Sequence, residues 1–212
     1  MLRHVLVRIM RTGYRLIARS PARRLLSAPL VQPVRRRLIG MRGADVLEVL
    51  EALKSAGVHA WLVGGWGIDA LLGERTRDHA DLDLAFEDVG NARERVREAL
   101  ARLGFGRGED GMPGGGWLPV RIVFRDRAGH TVDLHPVVLN GSTAHGHEDP
   151  GRGSSHPSDA VVIGSLNGRQ VPCLSPALQI LFHQGYEPRA SDRHDIARLC
   201  AHFGLPTPAE FR

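Results

Sequence analysis

Three features of the 212-residue sequence predict an α+β fold. Apolar residues recur at helical spacing in some segments and alternate in others, and the two kinds are interleaved rather than grouped. Two pairs of strand-like segments are each joined by a short turn signal. From Ser175 onward the pattern is helical only. Together these predict a mixed order of helices and strands that ends in helices.

In chain order, Val46, Val49, Leu50 and Leu53 recur at helical spacing, and Gly57 ends that helix. Val58 to Val63 reads as a short buried strand. Gly64 and Gly65 follow it and open a short helix that stops at Gly73. Asp81 to Phe86 alternates as a strand does, and Val89 to Leu103 returns to helical spacing. Gly106 to Gly116 is glycine-rich and reads as a loop. Pro119 to Arg125 and His130 to Val137 form one predicted hairpin. Ala160 to Gly164 and Arg169 to Leu174 form another, turning at Asn167-Gly168. Ser175 and Pro176 suit the cap and first turn of a helix that Gly185 is expected to stop. A last helix spans about Asp192 to Phe203, with Gly204 and Pro206 beyond it.

Charge divides the chain. Residues 1–44 hold 11 arginines and no carboxylate, so the remaining 17 basic residues stand against all 23 acidic ones, a net charge of −6. That part is expected to repel nucleic acid and attract cations. Residues 1–43 read as a basic amphipathic arm: Leu2, Leu6, Ile9, Leu16 and Ile17 lie among arginines, and prolines follow. Such an arm suits a membrane surface or a partner, or it is dispensable, with Met41 a candidate start site. Residues 44–174 are then the catalytic domain and 175–212 its helical C-terminal segment. No apolar run approaches the ~18 residues of a membrane span, and arginines interrupt any secretion signal. Two cysteines, Cys173 and Cys200, suggest neither a disulfide framework nor a metal knuckle. A reducing, cytoplasmic setting is expected.

The chemistry concentrates in Asp81-Leu82-Asp83-Leu84-Ala85-Phe86. Strand parity puts Asp81 and Asp83 on one face and Leu82, Leu84 and Phe86 in the core behind them. Carboxylates roughly 7 Å apart along a strand repel unless a cation lies between them, and oxygen donors select hard divalent ions such as magnesium. Asp133, in the alternating segment Thr131-Val132-Asp133-Leu134-His135, supplies a third carboxylate. Three such groups can hold two metals about 4 Å apart for an in-line displacement, and Asp133 could take a hydroxyl proton. Gly64 and Gly65 leave room for phosphate at a helix start, where backbone donors lack intrahelical partners. If the extended chain begins earlier, Arg77 and His79 share the face of Asp81 and reach the same phosphate.

The run GGWGIDALLGERTRDHADLDLAF, with VDLHP and HQGYEPRASDRHDIARL later, resembles the aminoglycoside and lincosamide nucleotidyltransferases of the DNA polymerase beta-like superfamily. The resemblance covers roughly residues 44–205. It implies a mixed sheet flanked by helices and transfer of a nucleoside monophosphate from ATP, or another triphosphate, to a small-molecule hydroxyl. It also implies magnesium on Asp81 and Asp83, Asp133 as third carboxylate and general base, and Gly64, Gly65, Arg77 and His79 around the triphosphate. The acceptor implied is an antibiotic, and the −6 charge favours a cationic one.

Other groups admit two readings each. His145, His147, Glu148 and Asp149 suggest either a second metal site or an acidic substrate-facing loop. His183, Tyr186, Arg189, Asp192 and Asp195 border the acceptor pocket, or Asp192 caps the last helix and Asp195 complements its dipole. Trp66 either stacks on a ligand or packs. Two alternatives to a small-molecule acceptor also stand: modification of a protein or transfer RNA, which the arginine arm alone supports, and a degenerate nucleotide-binding regulator, which the three carboxylates oppose.

Overall fold

A computed structural model of the protein describes residues 40–107, 121–140, 143–146 and 160–212. Residues 1–39 of the basic arm lie outside these residues, whereas Met41 is buried in the main core and Gly43 already opens the first helix, so the folded domain starts ahead of the expected boundary at residue 44. His147, Glu148 and Asp149 also lie outside the described residues, and with them the second-metal expectation built on them and His145.

The chain runs α1 (Gly43–Ser55), β1 (Ala60–Val63), α2 (Gly64–Leu72), β2 (Leu82–Glu87), α3 (Ala92–Arg102) and β3 (Gly106–Arg107). There follow β4 (Ile122–Arg125), β5 (Thr131–Asn140), β6 (Thr143–Gly146), β7 (Val161–Leu166) and β8 (Arg169–Leu174). Two helices, α4 (Pro176–Phe182) and α5 (Ala190–Phe203), and a short 3-10 turn at Ala209–Phe211 close it. The eight strands form one sheet in the order β3-β4-β5-β2-β1-β8-β7, with β6 paired to β5. Pairings β1 with β8 and β2 with β5 are parallel and the others antiparallel, so the sheet is mixed.

Alternation decides which residues face which layer. Leu62, Leu82, Leu84, Phe86, Val132 and Leu134 join Val46, Val49 and Leu53 of α1 and Val96 and Leu100 of α3 in the main core. On the opposite face Trp61, Val63, Ala85, Val137 and Leu174 pack with Leu178 of α4. Ile68 of α2 meets Ile196, Leu199 and Cys200 of α5 and Phe211 in a third cluster. Leu82, Leu84 and Phe86 are completely buried, each worth roughly 1.5 to 3 kcal/mol. A one-residue slip of β2 would forfeit all three. Apolar burial therefore fixes the face on which Asp83 stands.

Several boundaries differ from the sequence reading. β1 starts at Ala60 rather than Val58, β2 at Leu82 rather than Asp81, and α3 at Ala92 rather than Val89. α4 ends at Phe182, ahead of Gly185, with the His183 ring 2.7 Å from the Gln179 carbonyl oxygen at its end. α5 begins at Ala190, and Asp192 is its third residue, not its cap; its carboxylate accepts from the Arg189 backbone N–H at 2.9 Å. The β7–β8 turn follows expectation: Asn167 and Gly168 have φ of 51° and 75°, and Leu166 pairs with Arg169 across them. Gly168→Ala puts a side chain in the left-handed region with nothing within 4 Å to clash. Strain alone is expected to cost about 1 kcal/mol, lowering Tm by about 2 to 4 °C in a thermal melt.

Candidate active site

Parallel pairing sets Asp83 beside Asp133 and Ala85 beside His135, so the two carboxylates share one sheet face at a strand spacing of about 4.8 Å. Asp81 stands one residue ahead of β2. Burial first, then the charges of Asp83 and Asp133, push its carboxyl up to about 7. Burial and Asp83 also raise Asp133, against the opposing Arg121. Burial acts upward on Asp83 too, but His135, with Nε2 3.7 Å away, together with Arg121 and His183 outweighs it and holds that carboxyl below the ordinary range.

Arg121 pairs with Oδ2 of Asp133. Oδ1 is buried and has no hydrogen-bond partner among the described residues. A buried carboxylate oxygen without a donor is costly, and an oxygen-seeking divalent cation satisfies it together with the Asp81–Asp83 repulsion. The oxygen chemistry of these side chains suits a divalent metal, and among the described residues no group of three or more His, Cys, Asp or Glu side chains is drawn together closely enough to hold one as placed.

The glycine turn lies against them. Gly64 opens α2 at φ 63°, and a Cβ there would stand 2.6 Å from Asp83 Oδ2. Both the left-handed backbone and the contact demand glycine. At Gly65 a Cβ would collide with His79 Nδ1 and stand 2.6 Å from Arg77 Nη2.

Arg77 and His79 do not continue β2 backward as parity suggested, since residues 74–81 lie outside any strand. Carboxylate partners hold both. His79 is 2% exposed, and its Nε2 meets Asp69 Oδ2. Asp69 also accepts from the Thr76 amide at 3.0 Å and hydroxyl at 2.6 Å. Arg77 Nε donates to Asp195 Oδ1 at 2.8 Å, so the buried Asp195 serves an ion pair rather than the dipole of α5. Trp66 packs inward, 1% exposed, with its ring 4.6 Å from that of His79 and the Arg75 guanidinium 5.4 Å over it. Burial first and then the Asp192 charge raise the Tyr186 hydroxyl, against the opposing Arg189.

Sequence reading missed Asp69, Arg121 and Gln179. Asp69 and Gln179 left a signal: each is a lone polar residue inside an apolar helical run, and both are buried. Gln179 accepts from the Gly64 amide at 3.1 Å.

Comparison with known proteins identifies the family. The chain matches the aminoglycoside-2''-adenylyltransferase family over residues 45–199. It is 30% identical over 155 residues to a lincosamide resistance protein of Staphylococcus haemolyticus, a match spanning 73% of this chain and 89% of the relative. A 2''-aminoglycoside nucleotidyltransferase of Klebsiella pneumoniae is 39% identical over 57 residues, 27% of this chain and 31% of that protein. The lincosamide antibiotic adenylyltransferase LnuA, solved with lincomycin bound, superposes with a TM-score of 0.62 at 27% identity, covering 76% of this chain and 97% of that one. ANT(2'')-Ia, solved with adenylyl-2''-tobramycin, shares the fold at a TM-score of 0.58 and 22% identity, over 76% and 89% of the two chains. Among the described residues no helix is long and apolar enough to cross a membrane. With the match reaching from α1 into α5 and containing all three carboxylates and the glycine turn, the chain belongs to the aminoglycoside-2''-adenylyltransferase family and is a nucleotidyltransferase.

Proposed function

We propose that the protein transfers an adenylyl group from ATP to a hydroxyl of a lincosamide or aminoglycoside antibiotic, using magnesium held by Asp81, Asp83 and Asp133. The observation that carries this reading is the pairing of Asp83 with Asp133 on one sheet face against Gly64. The named relatives supply the acceptor class: a lincosamide resistance protein and a 2''-aminoglycoside nucleotidyltransferase. A net charge of −6 outside residues 1–44 suits an acceptor carrying amines.

In this mechanism the triphosphate lies along the turn at Gly64 and Gly65, where missing side chains admit phosphate oxygens to the start of α2. Arg77 and His79 act from behind Gly65 by holding the turn. Asp81, Asp83 and Asp133 would hold the magnesium, and three carboxylates suffice for two ions. Bound magnesium supplies charge neutralisation at the α-phosphate as negative charge builds there. Asp133, whose carboxyl is raised by burial and by Asp83, accepts the acceptor's hydroxyl proton. The acceptor oxygen then bonds to the α-phosphorus as the bond to pyrophosphate breaks. Helices α4 and α5 belong to the catalytic unit in this reading, because Gln179 and Asp195 reach the turn or the residues beside it.

Pyrophosphate release with ATP and magnesium, across a panel of lincosamides and aminoglycosides, tests the proposal. Release is expected with at least one acceptor, whose product gains the mass of one adenylyl group. Release with RNA or protein alone, lost when residues 1–40 are deleted, would instead support macromolecular modification. No release with any acceptor overturns the function.

A further inference from the structure

We propose that Gln179 is a positioning residue for the nucleotide: its side chain clasps the chain on both sides of Val63 and so aims the amides of the glycine turn. The proposal rests on the function given above. Gln179 is completely buried on α4 and lies 115 residues from the turn. Its Oε1 accepts from the Gly64 amide at 3.1 Å, and its Nε2 donates to the Leu62 carbonyl at 3.0 Å. One amide side chain thus holds the carbonyl of Leu62, the penultimate residue of β1, and the first amide of α2, the two points between which the backbone leaves the sheet.

The clasp also decides which amides remain for a ligand. The first amides of a helix have no partner four residues back. Gln179 occupies that of Gly64, which leaves those of Gly65 and Trp66 to meet anionic oxygens. Their direction follows from the orientation of Gly64, whose left-handed backbone abuts Asp83.

A third glycine in Gly64-Gly65-Trp66-Gly67 belongs to the same arrangement. At Gly67 a Cβ would land on Gln179 Nε2 and stand 2.8 Å from the Leu62 oxygen. Gly67 makes room for the glutamine rather than for a phosphate. His183, one turn beyond, sits with Nδ1 2.7 Å from the Gln179 carbonyl and fixes the end of α4 at this point.

A purely structural glutamine would weaken both substrates equally through lost stability, whereas a positioning one weakens the nucleotide alone. Gln179→Met keeps the length of the side chain and removes its donor and acceptor. ATP affinity by calorimetry with magnesium, and KM for ATP and for the acceptor turned over in the panel, are compared with wild type. Nucleotide affinity and KM are expected to worsen about tenfold, about 1.4 kcal/mol, with the acceptor KM unchanged. If Gln179→Met does not fold, Gln179→Glu, which keeps an oxygen for the Gly64 amide and loses only the donor to Leu62, takes its place, with a smaller loss expected for the nucleotide and the acceptor KM again unchanged. Unchanged ATP affinity, or equal loss for both substrates, overturns the proposal. Wild-type protein that binds no ATP overturns it together with the function, whereas wild type that binds and a variant that binds equally well overturn it alone.

Discussion

Asp83→Asn and Asp133→Asn are each expected to lower kcat for pyrophosphate release by about a thousandfold or more, about 4 kcal/mol of barrier, without unfolding the protein. Asparagine keeps the shape of the carboxylate, and Leu82, Leu84, Val132 and Leu134, which hold the two strands in register, are untouched. The charge is what is lost, and preorganised charge at a phosphoryl-transfer centre contributes on this scale. The two variants are expected to differ in ground-state binding. Asp83→Asn removes a charge from beside Gly64 and weakens magnesium-dependent ATP binding. Asp133→Asn removes the proton acceptor and slows the chemical step more than it weakens binding. Steady-state rates together with calorimetric ATP titrations check both, and an Asp133→Asn enzyme with wild-type kcat would remove that residue from the mechanism.

The parts of this site that the sequence made legible are the ones set by period. Alternation around Leu82, Leu84 and Phe86 put Asp83 on the outer face, and the same rule did so for Asp133 between Val132 and Leu134. Two glycines at a strand end announced a close approach, and Asn167-Gly168 announced a tight turn. The parallel register of β2 with β5 was not legible, because no local pattern fixes which of eight strands lie side by side. Only the chemistry of three carboxylates suggested it.

Polar partnerships were harder still to read. Arg77 and Asp195 lie 118 residues apart, and Gly64 and Gln179 lie 115 apart. Arg77, four positions before Asp81, suggests a ligand contact in the sequence, and the buried Asp195 that pairs with it is seen only in the fold. His79 shows the same competition: its spacing from Asp81 pointed toward the ligand, but Asp69 within α2 offered a closer, dry partner. Helix ends were misjudged where a side chain did the work expected of a preferred residue type. Asp192 caps from the third position rather than the cap itself.

The remaining carboxylate carries the second large prediction, in which stability and activity move in opposite directions. Asp81 has a folded-state pKa of about 7 against an ordinary value of 3.8, through burial and the charges of Asp83 and Asp133. Between those values the folded state binds more protons than the unfolded one, so this group's contribution is fully present below about pH 4 and is lost as pH rises through 7. Metal-free wild type therefore carries at pH 8 a strain that Asp81→Asn relieves. The gain is expected to be roughly 2 kcal/mol, allowing for screening at a partly exposed site, or about 5 °C in Tm. At pH 4 the difference between variant and wild type is expected to vanish. Magnesium at pH 8 raises Tm of the wild type more than that of the variant, and the variant loses nucleotidyl transfer. Thermal melts at the two pH values, with chelator or with magnesium, check all of this. A variant no more stable than wild type at pH 8 in chelator would mean that Asp81 does not face the other two carboxylates, and the shared cation pocket would go with it.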